Sequence, residues 1–182
     1  MSTISSFFAR NLLAFALLAA AVPALGSRDL PLPVKESARQ WEALGEGRMR
    51  WFGIHLYDAT LWVSGGRFDP KQPFALDIRY ARDIPRDRLV ESSVSEMRRL
   101  GFGDEEALER WGRGMAEVFP DVRAGDRLVG LYVPGQGAQF FSDKRFLGAV
   151  AEDEFAEAFF AIWLDARTRE PSLRASLLGL RQ

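Results

Sequence analysis

Four side chains in the middle of this chain have the chemistry to hold a polar ligand: Arg48, Arg50, Tyr57 and Tyr80. A guanidinium presents a planar fork of N–H donors that suits a carboxylate. A phenol carries a hydroxyl at the end of a large apolar ring. Arg48 and Arg50 lead into the most apolar stretch of the sequence, which runs on to Val63, and they share parity with Phe52 and Ile54. An unpaired buried charge costs several kcal/mol. Each arginine therefore pairs with an acid such as Asp58 or Asp77, awaits an anionic ligand, or sits at the rim of a sheet in water. Tyr57 and Tyr80 read first as core residues whose hydroxyls find a neighbour, with ligand contact as the alternative.

Most other chemistry is excluded by what the sequence lacks. It has one histidine, His55, and no cysteine. That removes multi-histidine metal sites, thiolate metal sites, thiol catalysis and disulfides. A serine triad would have to use His55, which lies mid-strand, and there is no Gly-x-Ser-x-Gly elbow; a packed or surface histidine is the plainer reading. Gly135, Gln136 and Gly137 form a turn between strands, because no helix follows to aim its N–H groups at a phosphate. No cofactor is expected. The net charge of −1 and the absence of a basic block argue against nucleic acid as a partner.

The elements that must position these residues follow from periodicity. Residues 27–43 open with Pro31 and Pro33 and read as an extended lead-in, with room for one edge strand. From Leu44 to Val63 the pattern predicts one long strand, or two joined at Gly53. Both of its faces are largely apolar, which places it in the middle of a sheet. Residues 74–80 alternate cleanly, with Phe74, Leu76, Ile78 and Tyr80 on one face. Pro85 opens a helix with Leu89, Ser93, Met97 and Leu100 on one stripe, and Gly101 ends it. Asp104 caps a second helix, carrying Leu108, Trp111, Met115 and Val118, which Pro120 stops.

Three short strands follow, at Leu128–Val133, Ala138–Phe141 and Phe146–Val150, joined by tight turns. A helix capped by Asp153 carries Phe155, Ala158, Phe159, Ile162 and Trp163 over more than half of its circumference, so it must be almost engulfed. Pro171 opens a last helix with Leu173, Leu177 and Leu180 facing inward. Strands grouped with strands and helices with helices indicate an α+β fold.

The first residues tell of destination. Arg10 precedes an apolar run from Leu12 to Val22, and Pro23-Ala24-Leu25-Gly26 leads into Ser27, Arg28 and Asp29. This is the layout of a cleavable Sec-type signal peptide over residues 1–26, cut after Ala24 or Gly26. The run is shorter than the roughly 20 residues of a membrane span, so no span is expected after cleavage. No cysteine follows to make a lipoprotein. The expected location is periplasmic or secreted, with residues 27–182 forming one domain held together by packing alone.

Several segments together resemble the bacterial, exported branch of the chalcone isomerase-like family. They are the run from Gly53 to Trp62, the strand from Pro73 to Tyr80, Trp111 with Phe119-Pro120-Asp121 and Gly125-Asp126, and Phe155 to Leu164 followed by Pro171 to Arg174. The resemblance spans roughly residues 40–180 and implies an open-faced β-sandwich: a long antiparallel sheet with helices on one side and short strands on the other. In the family's enzymes, which close a chalcone to a flavanone, the catalytic helix bears Tyr, Lys and Asn. Those positions here hold Pro85, Arg88 and Ser92, while a hydroxyl residue and a Thr are replaced near Ile162 and Phe52. Relatives that bind fatty acids without catalysis grip the carboxylate with an Arg and a Tyr, and Arg48 or Arg50 with Tyr57 could repeat that pair if a bulge at Gly53 brought them to one face.

The resemblance therefore implies a binder of a small amphipathic, fatty-acid-like acid, with Arg48, Arg50, Tyr57, Tyr80 and Ser92 as candidate contacts. Two other expectations stand beside it. One is an isomerase or intramolecular lyase on another substrate, with Arg88 in place of the lysine and Tyr80 supplying a hydroxyl. The other is an interaction factor of the cell envelope.

Overall fold

A computed structural model of the protein describes residues 29–38, 40–143 and 145–180; the expected leader lies outside them. Six strands form one sheet in the order of the chain, β1 (Glu42–Trp51), β2 (Ile54–Val63), β3 (Phe74–Tyr80), β4 (Arg127–Tyr132), β5 (Ala138–Phe141) and β6 (Phe146–Val150), each antiparallel to the next. A short helix, α1 (Leu32–Glu36), precedes the sheet. Helices α2 (Arg86–Leu100) and α3 (Glu105–Val118) are inserted between β3 and β4, and α4 (Asp153–Leu164) and α5 (Pro171–Leu177) follow β6. No helix among the described residues is long and apolar enough to cross a membrane.

Alternation decides which side chains meet the helices. Ala59, Leu61 and Val63 of β2, with Phe74, Leu76, Ile78 and Tyr80 of β3, pack against Met97, Leu108, Trp111, Met115 and the buried face of α4. Phe159 of α4 lies at the centre of an aromatic block, with ring centroids 5.2 Å from Phe140, 5.3 Å from Phe160 and 5.6 Å from Phe155. Gly130 makes room for it, since a Cβ there would stand 3.2 Å from the Phe160 ring. The expectation of a nearly engulfed α4 agrees with seven buried residues along it: Phe155, Ala156, Ala158, Phe159, Phe160, Ala161 and Leu164.

The opposite face is covered by the chain's own N-terminal segment. Leu30 and Val34 pack on Ala75, Val129, Leu131 and Phe141, with Trp41, Trp62 and Val133 at the margin. Among the described residues this face carries α1 rather than a layer of short strands. The lead-in expected to be extended is helical because its prolines occupy the first turn. Pro31 is the N-cap and Pro33 sits within N1–N2, where a missing N–H and a fixed φ do no harm.

Other boundaries also differ from the periodicity. The segment from Leu44 to Val63 is two strands, and the first, starting at Glu42, is an edge strand rather than a central one. Its Gly45 and Gly47 are open to α5: a Cβ at Gly45 would lie 2.0 Å from the Ser176 carbonyl oxygen, and one at Gly47 would lie 2.6 Å from Leu173. One face of this edge strand is thus covered by α5, while Glu42, Glu46, Arg48 and Arg50 keep the rest of it polar. Strand β4 starts one residue early, at Arg127. Glu152, not Asp153, is the N-cap of α4. The Asp153 carboxylate instead accepts hydrogen bonds from the N–H groups of Gly135 and Gly137, both at 3.1 Å, and so fastens the β4–β5 turn to the helix. Leu180 lies beyond the end of α5 and is exposed. Helices α2 and α3 are bounded as expected, with Gly101 at φ 84° ending the first and the Asp104 carboxylate accepting from Ala107 N–H at 2.8 Å in the second.

Candidate functional site

The site residues are distributed by the register of β1 against β2. Arg48 pairs with Asp58 and Met49 with Tyr57, but Arg50 pairs with His55, so Leu56 is an extra residue in β2. This bulge reverses the parity of everything on its N-terminal side. His55 thereby joins Asp58 on the face away from α2–α5, although the two differ in parity. Tyr57 stays with Ala59 and Leu61 on the helix-covered face. The turn beyond is a two-residue hairpin, Phe52-Gly53, with φ 47° and 79°, as a type I′ turn requires. A bulky residue at positive φ costs roughly 1–2 kcal/mol.

On the helix-covered face, Met49, Tyr57 and Tyr80 stand in a row across β1, β2 and β3. The two phenol rings meet edge to face at 6.0 Å. Above them, the indole N–H of Trp163 in α4 donates to the Tyr57 hydroxyl oxygen at 2.9 Å. Burial pushes the Tyr57 hydroxyl up to about 12, with the Trp163 hydrogen bond acting the other way and the Glu170 carboxylate adding to the rise. Burial also raises Tyr80, with Tyr57 contributing. Both are therefore neutral donors at any physiological pH. Tyr57 spends its oxygen on Trp163, and its own proton finds no acceptor among the described residues. The Tyr80 hydroxyl makes no hydrogen bond among them.

On the other face the arginines are already engaged. Arg48 Nε donates to Asp58 Oδ1 at 2.9 Å, and both side chains are about half exposed. Arg50 reaches the Gly53 carbonyl at 3.3 Å. His55 Nε2 is 3.2 Å from the same Asp58 oxygen, within range of attraction but not aligned for a hydrogen bond, so this buried nitrogen has none. An open recess of about 610 Å³ lies beside it, lined by His55, Ala81, Arg82, Asp83 and Ala124. Asp83 accepts from Ala124 N–H at 2.8 Å, whereas Arg82 has no hydrogen bond or ion pair among the described residues.

Asp77, the other acid considered for Arg48 or Arg50, belongs to Arg127. The Arg127 guanidinium is buried and forks onto Asp77 at 2.7 and 2.6 Å, then reaches Asp143 and the Asp29 carbonyl, each at 3.0 Å. Burial works against its charge, but the two carboxylates outweigh that and hold it above the ordinary arginine value. This is a structural tie between strands, a turn and the N-terminal segment.

The structure thus brings Tyr57 and Tyr80 together and separates both from Arg48 and Arg50. Arg88 is exposed on α2 and pairs with Glu91 at 2.8 Å. Ser92 is exposed and donates to the carbonyls of its own helix, at 2.7 Å to Arg88 and 3.1 Å to Leu89. Neither reaches the phenols. Sequence reasoning left out Trp163, which reads as one more apolar residue of α4 and lies 106 positions from its partner. It also left out Arg82, whose only signal is its place just after the strand that ends at Tyr80.

A six-stranded antiparallel sheet with one face under helices, and a hydroxyl-bearing aromatic cluster at one end of that face, defines an open-sheet α+β protein. Residues 45–179 match the model of the chalcone isomerase-like family, and the chain belongs to that family. Among solved structures it is similar to a fatty-acid binding protein of Arabidopsis thaliana, at 11% identity and a TM-score of 0.60, over 78% of this chain and 88% of that one. At that identity the likeness establishes the fold. No match was found among curated protein sequences.

Proposed function

We propose that this protein is a non-catalytic binder of a small amphipathic acid of fatty-acid type, acting after export to the periplasm or medium. The observation that carries the reading is the Tyr57–Tyr80 pair: two neutral phenols on the helix-covered face, with protons that no described residue accepts. Such protons suit the oxygens of a carboxyl group, and Met49 and Trp163 offer apolar surface to the attached chain. Arg48 and Arg50, on the far face, contribute attraction at a distance rather than contact. The fold shared with a plant fatty-acid binding protein supports the same class of ligand. A catalytic reading would need Arg88 or Ser92 at the ligand, and both face solvent with local partners.

Export is supported by the apolar run from Leu12 to Val22 and the small residues that follow it. Intact mass of the protein recovered from a secreting host should correspond to a chain beginning at Leu25 or Ser27.

Thermal melting with saturated fatty acids of graded chain length tests the binding. Tm should rise with at least one of them, and replacing both tyrosines by phenylalanine should weaken that acid roughly tenfold, as expected for loss of hydrogen bonds to a charged group. No stabilisation by any chain length would end the proposal. Stabilisation that survives Tyr57→Phe/Tyr80→Phe but is lost in Arg48→Ala/Arg50→Ala would move the site to the other face. Chemical conversion of the acid would replace a binder with an enzyme.

A further inference from the structure

The β1–β2 hairpin ends in three large apolar residues that the fold leaves in water. Phe52 is 90% exposed, Trp51 49% and Ile54 47%, and the Trp51 and Phe52 rings pack edge to face at 5.1 Å. The tip is a cost to the fold in two ways. It exposes apolar surface, and it holds Phe52 at φ 47°, in a turn position that asparagine or glycine would fill without strain. Strain held at an exposed position points to use there. Behind the tip are cations. Among the described residues Arg50 has no ion pair and braces the turn through the Gly53 carbonyl, Arg48 shares Asp58 with His55, and Arg82 beside His55 has no partner.

We infer that this hairpin tip inserts into the interface of an anionic lipid bilayer, with Trp51, Phe52 and Ile54 below the headgroups and Arg48, Arg50 and Arg82 at the level of the phosphates. Aromatic rings with a polar edge favour that depth, and guanidinium groups complement the phosphates above it. The dimensions agree. Three residues of extended strand separate Trp51 from Arg48, or roughly 10 Å, close to the 5–10 Å by which interfacial segments enter the headgroup and acyl boundary. Arg50, next to Trp51 and bonded at the turn, reaches the phosphates by extending its long side chain upward. A groove on a protein partner would be a poorer match, since the tip is one turn wide and its cations stand behind the apolar residues rather than around them. This surface lies apart from the phenol pair, and the inference stands whether or not an acid binds there.

The chain has no cysteine, so one introduced thiol can be labelled cleanly. In the full chain, Phe52→Cys carrying an environment-sensitive nitrobenzoxadiazole reports on the tip alone, whatever residues 1–28 do. Glu109→Cys on the exposed side of α3 is the control. With phosphatidylglycerol vesicles the label at 52 should shift to the blue and brighten, and be quenched by lipids brominated on the acyl chain, while the label at 109 stays unchanged. Arg50→Glu should weaken the response at least roughly fivefold, the effect of one basic residue near an anionic surface. Trp51→Ser/Ile54→Ser should abolish it while leaving the melting temperature unchanged within a few degrees. An unchanged label at 52, or equal changes at 52 and 109, would overturn the inference. So would a concentration-dependent blue shift without vesicles, which would set the tip against a second copy of the chain.

Discussion

The two faces of the sheet bury their polar groups by opposite means. Under the helices, the cluster at the β1–β3 end is neutral: two phenols and an indole N–H, linked by one hydrogen bond among aromatic rings. On the other face a full charge is buried, and Arg127 is held by two carboxylates and a main-chain carbonyl. A neutral phenol can keep an uncommitted proton at modest cost, whereas a buried guanidinium cannot be left half-satisfied. The difference separates roles. The Arg127 tie is closed on itself and serves the fold, while the phenol pair has donors to spare, as do the buried Trp41 and Trp62 indoles at the margin of the outer face, which find no acceptor among the described residues.

The comparison would break first in the aromatic block. Phe159→Ala removes the ring that touches Phe140, Phe155, Phe160 and Trp163, and should cost about 3–5 kcal/mol in urea unfolding. A loss under 1 kcal/mol would mean that this face is loosely packed. Next is the tie on the other face. Asp77→Ala strands one fork of a buried guanidinium and should cost about 3 kcal/mol, whereas Asp77→Leu/Arg127→Met should recover most of that loss. If the double variant is no more stable than the single one, the tie does more than satisfy its own charge. Gly45→Ala, which drives a methyl into the Ser176 carbonyl, should cost about 1–3 kcal/mol and loosen α5, visible as faster amide exchange over residues 171–177.

The smallest effect is spectroscopic. The chain has three tyrosines, and Tyr57, Tyr80 and Tyr132 are all raised above the ordinary value, in each case chiefly by burial. A folded pKa above the unfolded one means that the folded state keeps protons the unfolded chain releases. The stabilisation is complete below about pH 10 and is lost as pH rises toward about 12. Absorbance at 295 nm should therefore lag behind that of the urea-unfolded protein across this window. Coincident titration curves would show the phenols to be solvated.

Much of this fold was legible from turn chemistry. Pro85 and Gly101 bracket α2, the strands at 138–141 and 146–150 fall between glycine- and serine-bearing turns, and the family segments pointed to the α+β sheet. The lead-in was misread because prolines that forbid a helix interior are welcome in its first turn. The site was less legible for a physical reason. Alternation assigns faces only while register holds, and the extra residue at Leu56 is invisible in composition yet moves His55 to the opposite face. Tyr57 kept the face that simple alternation gave it, away from the arginines. The contacts that complete each cluster, Trp163 over Tyr57 and Arg127 on Asp77, join residues 106 and 50 positions apart, and no local pattern announces them.

The grip of Arg127 on the Asp29 carbonyl spans 98 positions of sequence. The strands of the sheet pair neighbour to neighbour, so they can zip together as the chain lengthens. The segment that covers their outer face is different: it is made before every strand of the sheet and docks only after β4 and the turn at Asp143 exist. Until then Trp62, Ala75, Val129 and Leu131 have no cover. Closure of that face is thus a late step of high contact order, and a chain whose synthesis has not passed Asp143 could not take it.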